Sequence, residues 1–467
     1  MSITRGRGWR LWLLALAVFG CIAAVMVWRP DRALRTATGT AAHDLCSETF
    51  VSQQDPDQTF AESLKPRPGF RWIAWAVKHS VDLGRREARA SLLGTLPSRA
   101  VYRDGIGCVL VHGEEPIATV KLADLRHADP LLPAIAGPML VPPSGPSLTA
   151  ALDAAFKEPD QPPHRQTKAV VIVHEGKVIA ERYAEGYGID TPILGFSMTK
   201  SVMNALVGIL VHKHRLVTDA PAPLPAWQGA GDPRGAITIE QLMRMSSGLA
   251  LDETGTGFDP SNQMFYDEPD MAGYAQAAKP VAAPGTRWAY SSASTHLLAR
   301  IVRDRVGGTA DAVQRFAFTE LFDPLGMRSV TLEMDATGTP VGGHYMFASA
   351  RDWARFGSLF LNDGVVGGRR ILPEGWIEFS TTPTLDTVYG AGWWTNRGSS
   401  PTALRRVKMG IPADAYFAFG NLGQRIAVIP SEQLVIVRMA RAHLPYGDMA
   451  GFERLVVDTI ASLHAGP

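Results

Sequence analysis

G-F-S-M-T-K-S-V-M-N-A-L-V-G-I-L, Gly195 to Leu210, decides how this chain is read. Ser197 and Lys200 stand three apart where an apolar run with helical spacing begins (Val202, Met203, Leu206, Val207, Leu210), so the pattern predicts a helix carrying both side chains on one face. A serine hydroxyl is a poor nucleophile until a base takes its proton, and a lysine amine can be that base where burial lowers its pKa. The helix start adds free backbone N–H groups and the positive end of the helix dipole, both suited to negative charge growing on an attacked carbonyl. Alone, S-x-x-K equally describes a serine N-cap followed by a solvated lysine, so the rest of the chain must decide.

Composition narrows the classes. With 467 residues and 46% hydrophobic content the chain can fill one large domain and a smaller one. Lys plus Arg number 46 against 45 Asp plus Glu, so no basic field points to nucleic acid. Leu11 to Trp28 carries no charge and as a helix would span about 27 Å, near the hydrocarbon thickness of a bilayer. Arg5, Arg7 and Arg10 precede it, which predicts an uncleaved anchor with a cytoplasmic N-terminus and everything after Trp28 exported, periplasmic or extracellular. Cys46 and Cys108 are the cysteines of the exported part and are candidates for a disulfide in an oxidising compartment. No cysteine spacing suits a metal, and His212 and His214 in H-K-H point apart on a helix, so neither metal nor cofactor is expected.

Three regions follow: residues 1–30 as cytoplasmic tip and anchor, 31–146 as accessory module and linker, and 147–467 as the main domain. Asp31 to Ala42 reads as a short tether. The module mixes a helical passage near Phe60 to Val81 with strand-like A-R-A-S-L-L (Ala88 to Leu93) and G-C-V-L-V (Gly107 to Val111). Six prolines between Asp129 and Pro146 mark a linker or an extended wrapping segment. The main domain opens with a helix (Leu148 to Phe156) and a hairpin turning at Glu175 and Gly176. Thr238 is a helix cap and Gly248 a helix stop, and irregular loops between Leu249 and Thr286 carry Asn262, Tyr266 and Asp267 as candidate walls of a site. Tyr290 comes just before a helix; beside a lysine ammonium its phenolate is favoured, making it a second proton carrier. Helical stretches (Ala348 to Asn362, then from Pro373) lead to adjacent strands from Ala415 to Ala440, where Gly420 and Gly423 permit close backbone approach. A final amphipathic helix, Asp448 to Leu463, should pack back on the sheet. Strands at both ends around a helical middle predict an α/β (α+β) fold whose antiparallel sheet is assembled from both ends of the domain, with a helical subdomain.

From Ser147 to the C-terminus the chain resembles the serine β-lactamase-related family, the group of class C β-lactamases, D,D-peptidases, esterases and 6-aminohexanoate-dimer hydrolases. An ordered set of segments carries the resemblance: S-M-T-K (Ser197 to Lys200), L-M-R-M-S-S-G-L (Leu242 to Leu249), P-G-T-R-W-A-Y-S-S (Pro284 to Ser292), F-D-P-L-G-M (Phe322 to Met327) and G-N-L-G-Q (Gly420 to Gln424). It implies the β-lactamase/transpeptidase-like fold and an acyl-enzyme on Ser197, with Lys200 and Tyr290 sharing the proton traffic and either one as the base. The backbone N–H groups of Ser197 and Gln424 would form the oxyanion hole, and Asn421, Gly423, Ser292, Asn262 and Tyr266 would touch substrate. Asn421 stands where the family has Lys or His, and Ser292 where it has Asn. A neutral amide offers no point charge to a penicillin-like carboxylate, which favours an ester, amide or peptide substrate over antibiotic resistance. The competing readings are a β-lactamase or D,D-carboxypeptidase and a binding protein that keeps the fold without turnover.

Overall fold

Small side chains, not large ones, build the first described helix. The computed structural model describes Trp12, Leu13, Leu16, Gly20 and residues 30–113, 128–254 and 259–465. Most of Leu11–Trp28 lies outside the described residues, and no helix among them is long and apolar enough to cross a membrane. Asp31–Ala42, expected as a tether, is instead the first half of α1 (Pro30–Phe50), with Ala37, Thr38, Ala41, Ala42, Leu45 and Cys46 buried. Ala, Thr and Gly let the helix approach its neighbours closely: a Cβ at Gly39 would stand 2.9 Å from the Cβ of Tyr266. α1 packs on a four-stranded antiparallel sheet in the order β1 (Val77–Asp82), β2 (Glu87–Leu92), β3 (Thr95–Arg103), β4 (Gly107–Leu110). The expected strands are β2 and β4; the passage from Phe60 is short helical turns up to Ala76 and then β1. A disulfide between Cys46 and Cys108 joins α1 to β4.

The proline segment wraps the main domain. Its backbone bonds that domain through Leu131 N–H to the Pro324 carbonyl, and the Ile135 and Val141 carbonyls accept from Val178 and Glu181. Buried Arg351 donates to the carbonyls of Gly137 (2.7 Å) and Met139 (2.8 Å) and pairs with Glu181.

After α2 (Pro146–Phe156) comes the hairpin β5 (Thr167–His174) and β6 (Lys177–Tyr183), whose turn holds Glu175 at φ 49° and Gly176 at φ 76°. Later elements are β7 (Ile193–Leu194), α3 (Thr199–His212), α4 (Pro260–Asp267), α5 (Ser292–Val306), β8 (Thr331–Leu332), β9 (Met346–Ala348) and α6 (Ala350–Leu361). The chain ends in β10 (Trp394–Thr395), β11 (Tyr416–Phe419), β12 (Arg425–Ile429), β13 (Leu434–Ala440) and α7 (Pro445–His464). The main sheet runs β10-β11-β12-β13-β5-β6, and β13 pairs antiparallel with β5 through Val437 opposite Val171, so both ends of the domain do build it. Strand alternation divides the core. Val170, Ile172, Phe417, Ala427 and Ile436 pack with α2 and α7, and Val171, Val173, Ile426, Val435 and Val437 pack on the other face with α3 and α6.

Two local expectations change. The helix capped by Thr238, with its reciprocal Gln241 bond, covers Ile239–Met243 and ends before Gly248; Gly248 (φ 74°) serves a turn where a Cβ would meet the Ala282 carbonyl oxygen at 2.2 Å. The stretch 249–286 is not wholly irregular, since α4 and the helix Met271–Gln276 lie within it.

Candidate active site

α3 is buried on every side from Thr199 to Leu210, so it forms the central rod on which the site is mounted. Its entry is tightly constrained. β7 pairs with β9, the Gly195 N–H donates to the Met346 carbonyl at 2.8 Å, and a Cβ on Gly195 would lie 2.4 Å from Trp353. Phe196 then takes φ 48°, a left-handed conformation that a bulky residue adopts only under surrounding constraint. The turn Phe196–Met198 presents Ser197, which is partly exposed, while Met198, Thr199 and Lys200 turn inward.

Lys200 Nζ has three oxygens around it: Ser197 Oγ at 2.9 Å, Ser292 Oγ at 2.8 Å and the Gly343 carbonyl at 2.9 Å. It also lies 4.8 Å from the centre of the Tyr290 ring. Burial pushes the Lys200 ammonium down from 10.5 to about 8, against the opposing pull of the Glu253 charge. Tyr290 bonds Ser197 through its hydroxyl, yet burial pushes its phenol well above the usual value, with Tyr389 and Glu253 adding to the rise. The expected phenolate is therefore not favoured, because loss of water outweighs the nearby amine. Two histidines lie beneath the site. His296 is pushed down to about 4 and His344 well below 6.5, in both cases chiefly by burial, so both stay neutral. Since a carbonyl only accepts, His296 Nδ1 carries the proton in its 3.0 Å bond to the Ser292 oxygen.

The predicted triad converges although the sequence scatters it. The matching model of the Beta-lactamase family covers residues 152–458, more than half of the chain. The chain belongs to the beta-lactamase family. It is a beta-lactamase-family serine hydrolase. It is 26% identical over 227 residues to the 6-aminohexanoate-dimer hydrolase of Paenarthrobacter ureafaciens, a match covering 45% of this chain and 56% of that protein. Among solved structures, a penicillin-binding protein homolog from Caulobacter crescentus aligns with TM-score 0.53 and 20% identity over 69% of this chain and 99% of its own. A class C beta-lactamase from Rhodobacter sphaeroides aligns with TM-score 0.50 and 20% identity over 68% and 99%. These two likenesses bear on the fold.

Other predicted residues of the beta-lactamase-family hydrolase land elsewhere. Ser292 is buried and its hydroxyl is engaged by Lys200 and by Glu253 Oε2 (2.7 Å), so it supports the amine instead of touching substrate. Tyr266 is buried, hydrogen-bonded to the Tyr345 hydroxyl at 3.0 Å and packed under α1. Asn262 lies in the first turn of α4 with its amide on Asp259. Gly423 is buried, and a Cβ there would meet Arg438 and the Gly447 carbonyl, each at 2.8 Å, so its bareness serves packing. Asn421 is exposed.

Gln424, expected as the second oxyanion donor, is turned inward. It is buried, its N–H turns back to the Asn421 carbonyl at 3.4 Å, and its side chain clasps both the N–H and the carbonyl of Ala440. Four residues earlier the backbone lies against the entry to the Ser197 turn, where a Cβ on Gly420 would stand 2.2 Å from the Gly195 oxygen. Neither the Ser197 nor the Asn421 N–H has an acceptor among the described residues. Leu422, at φ 53°, holds the turn that exposes Asn421.

Two functional groups escaped sequence reasoning. Glu253 follows the S-G-L segment closely and its own N–H bonds the Tyr290 carbonyl at 3.1 Å. Gly343 supplies a carbonyl from the V-G-G-H-Y-M stretch, where paired glycines between elements were the available signal; a Cβ on Gly343 would lie 3.0 Å from Ser292.

Proposed function

We propose that this hydrolase cleaves an uncharged ester or amide through an acyl-enzyme on Ser197. The observation that carries the reading is Lys200 Nζ at 2.9 Å from Ser197 Oγ with its remaining polar contacts already taken by Ser292 and Gly343. A neutral lysine has two N–H donors and one lone pair; with the donors on Ser292 and Gly343, the lone pair faces the serine. Ser197 Oγ bonds to the carbonyl carbon as its proton passes to Lys200 and the C=O pair moves onto oxygen. The Ser197 and Asn421 N–H groups are the donors for that oxygen. Collapse expels the alcohol or amine, which takes a proton through the Tyr290 phenol, refilled from Lys200; water then repeats the sequence and releases the acid.

The rings beside Tyr290 support an apolar substrate. Tyr290, Trp394 and Phe419 lie in series at 5.7 Å and 5.8 Å between ring centres, with Trp288 6.3 Å from Trp394. Exposed Asn421 brings no cation to a carboxylate. Likeness to a 6-aminohexanoate-dimer hydrolase supports an amide as the bond cleaved.

A fluorophosphonate probe should label wild type at Ser197 and leave Ser197→Ala unlabelled. The labelling rate should fall about tenfold per pH unit below about 8, where Lys200 is protonated, and level off above it. A panel of short esters, aminohexanoate oligomers and nitrocefin then assigns the substrate; rapid nitrocefin turnover without ester or amide turnover would overturn this reading. We further infer an exported catalytic domain anchored through Leu11–Trp28, a placement supported by the paired Cys46 and Cys108. Alkaline carbonate should leave the chain in the membrane pellet, and release to the supernatant would refute the anchor.

A further inference from the structure

Ser292 Oγ sits between two partners that make different demands on it, Lys200 Nζ at 2.8 Å and Glu253 Oε2 at 2.7 Å. A hydroxyl owns one proton. As a carboxylate Glu253 can only accept, so the Ser292 proton points to Glu253 and the Ser292 lone pair is left to accept from Lys200. Were Glu253 absent, the same hydroxyl could rotate and donate into the lysine lone pair, competing with Ser197 for it. The carboxylate is itself held in place: its oxygen also takes the Ser292 N–H at 3.0 Å and the Ser261 hydroxyl at 3.3 Å, and the Glu253 N–H is fixed on the Tyr290 carbonyl at 3.1 Å. Glu253 thus touches the first turn of α5, the first turn of α4 and the backbone of the tyrosine, three elements that meet at the amine.

We propose that Glu253 is a positioning residue for proton transfer: by fixing the Ser292 hydroxyl it turns the Lys200 amine so that its lone pair faces Ser197. The proposal rests on the acyl-enzyme reading above. It goes beyond that reading in assigning the orientation of the base to a side chain with no direct contact with Ser197. The charge of Glu253 also favours the lysine ammonium. The other titratable groups facing this amine are Tyr290, Tyr389, His296 and His344, which stay neutral at working pH. Burial is the main cause of the lowered Lys200 value, and Glu253 is the charge that opposes it.

A helix-capping role alone would explain the Ser292 N–H contact, and the test must separate the two. The second-order rate of fluorophosphonate labelling at Ser197 is measured from pH 6 to 10 for wild type, Glu253→Gln and Glu253→Ala, with melting temperature read alongside. Glu253→Gln keeps an acceptor and loses the charge: the plateau is expected within about threefold of wild type and the acid limb displaced downward by about one pH unit. Glu253→Ala frees the hydroxyl, and its plateau is expected to fall about tenfold or more. An acid limb unmoved in Glu253→Gln, or a plateau unchanged in Glu253→Ala, would overturn the proposal even if the melting temperature drops. Failure of wild type to label at Ser197 would instead overturn the acyl-enzyme reading itself.

Discussion

Lys200 and Glu333 are both ionisable, both shut away from water and both pushed toward their neutral forms, yet they belong to regions with opposite purposes. Lys200 is 3% exposed and borders Ser197, which reaches solvent. Glu333 is 0% exposed at the seam between α1 and the main domain; its oxygens accept from Ser47 at 2.8 and 3.1 Å and from the Cys108 N–H at 2.8 Å. Burial pushes the Glu333 carboxyl well above its usual value and the adjacent His43 down to about 4. Around Lys200 the contacts leave one direction open, toward a nucleophile; around Glu333 every direction is closed, and a Cβ on Gly107 would stand 2.5 Å from its oxygen. A perturbed pKa thus marks a site only where an accessible reacting atom lies beside it. Other contacts along the seam, Arg441 with Glu48 at 2.8 Å and Arg67 with Asp44 at 2.7 Å, follow the Glu333 pattern: charges matched to each other, none offered outward.

Substitution of the two residues should therefore damage different properties. Lys200→Met removes the base and is expected to slow labelling of Ser197 by about a thousandfold or more, with a modest drop in melting temperature because the Gly343 carbonyl loses its donor. Glu333→Ala leaves the Ser47 hydroxyl and the Cys108 N–H buried without an acceptor, which should cost about 3 kcal/mol in urea unfolding and leave the pH dependence of labelling as in wild type. A shift of that pH dependence in Glu333→Ala would mean that the seam and the pocket are coupled, and the contrast would fail.

The same contrast separates what the sequence could and could not disclose. The S-x-x-K spacing, the Glu175–Gly176 turn and the Thr238–Gln241 capping box are local, with partners within a few residues, and each has a periodic or turn signal that survives in one dimension. Glu253 meets Ser292 across 39 residues and Gly343 meets Lys200 across 143, and no local pattern marks either contact. α1 escaped for a different reason. Its buried face is Ala, Thr and Gly, which score as tether material by composition but suit a helix that must lie close against a sheet. Tyr266, expected as a wall of the site because it falls in a long stretch that reads as irregular loop, is instead buried against that unrecognised helix. That Gln424 is buried while Asn421, one turn earlier, is exposed was not legible either, because the left-handed Leu422 between them has no signature in its letters.

The smallest expected effect sharpens the account of the pocket most finely. If Asn421 serves through its backbone, its side chain is dispensable in chemistry, since its Oδ1 is occupied by the N–H of Leu422 at 2.9 Å. Asn421→Ala keeps the main-chain donor and removes that local bond, so labelling of Ser197 should change by less than about threefold, whereas losing an oxyanion donor costs on the order of a hundredfold. A hundredfold loss in Asn421→Ala would make the amide side chain the donor and leave the exposed N–H without a role. A loss of a few-fold accompanied by a lower melting temperature would keep the donor in the main chain. The asparagine would then be favoured for holding, through its Oδ1 bond to the Leu422 N–H, the turn in which that leucine takes a left-handed conformation.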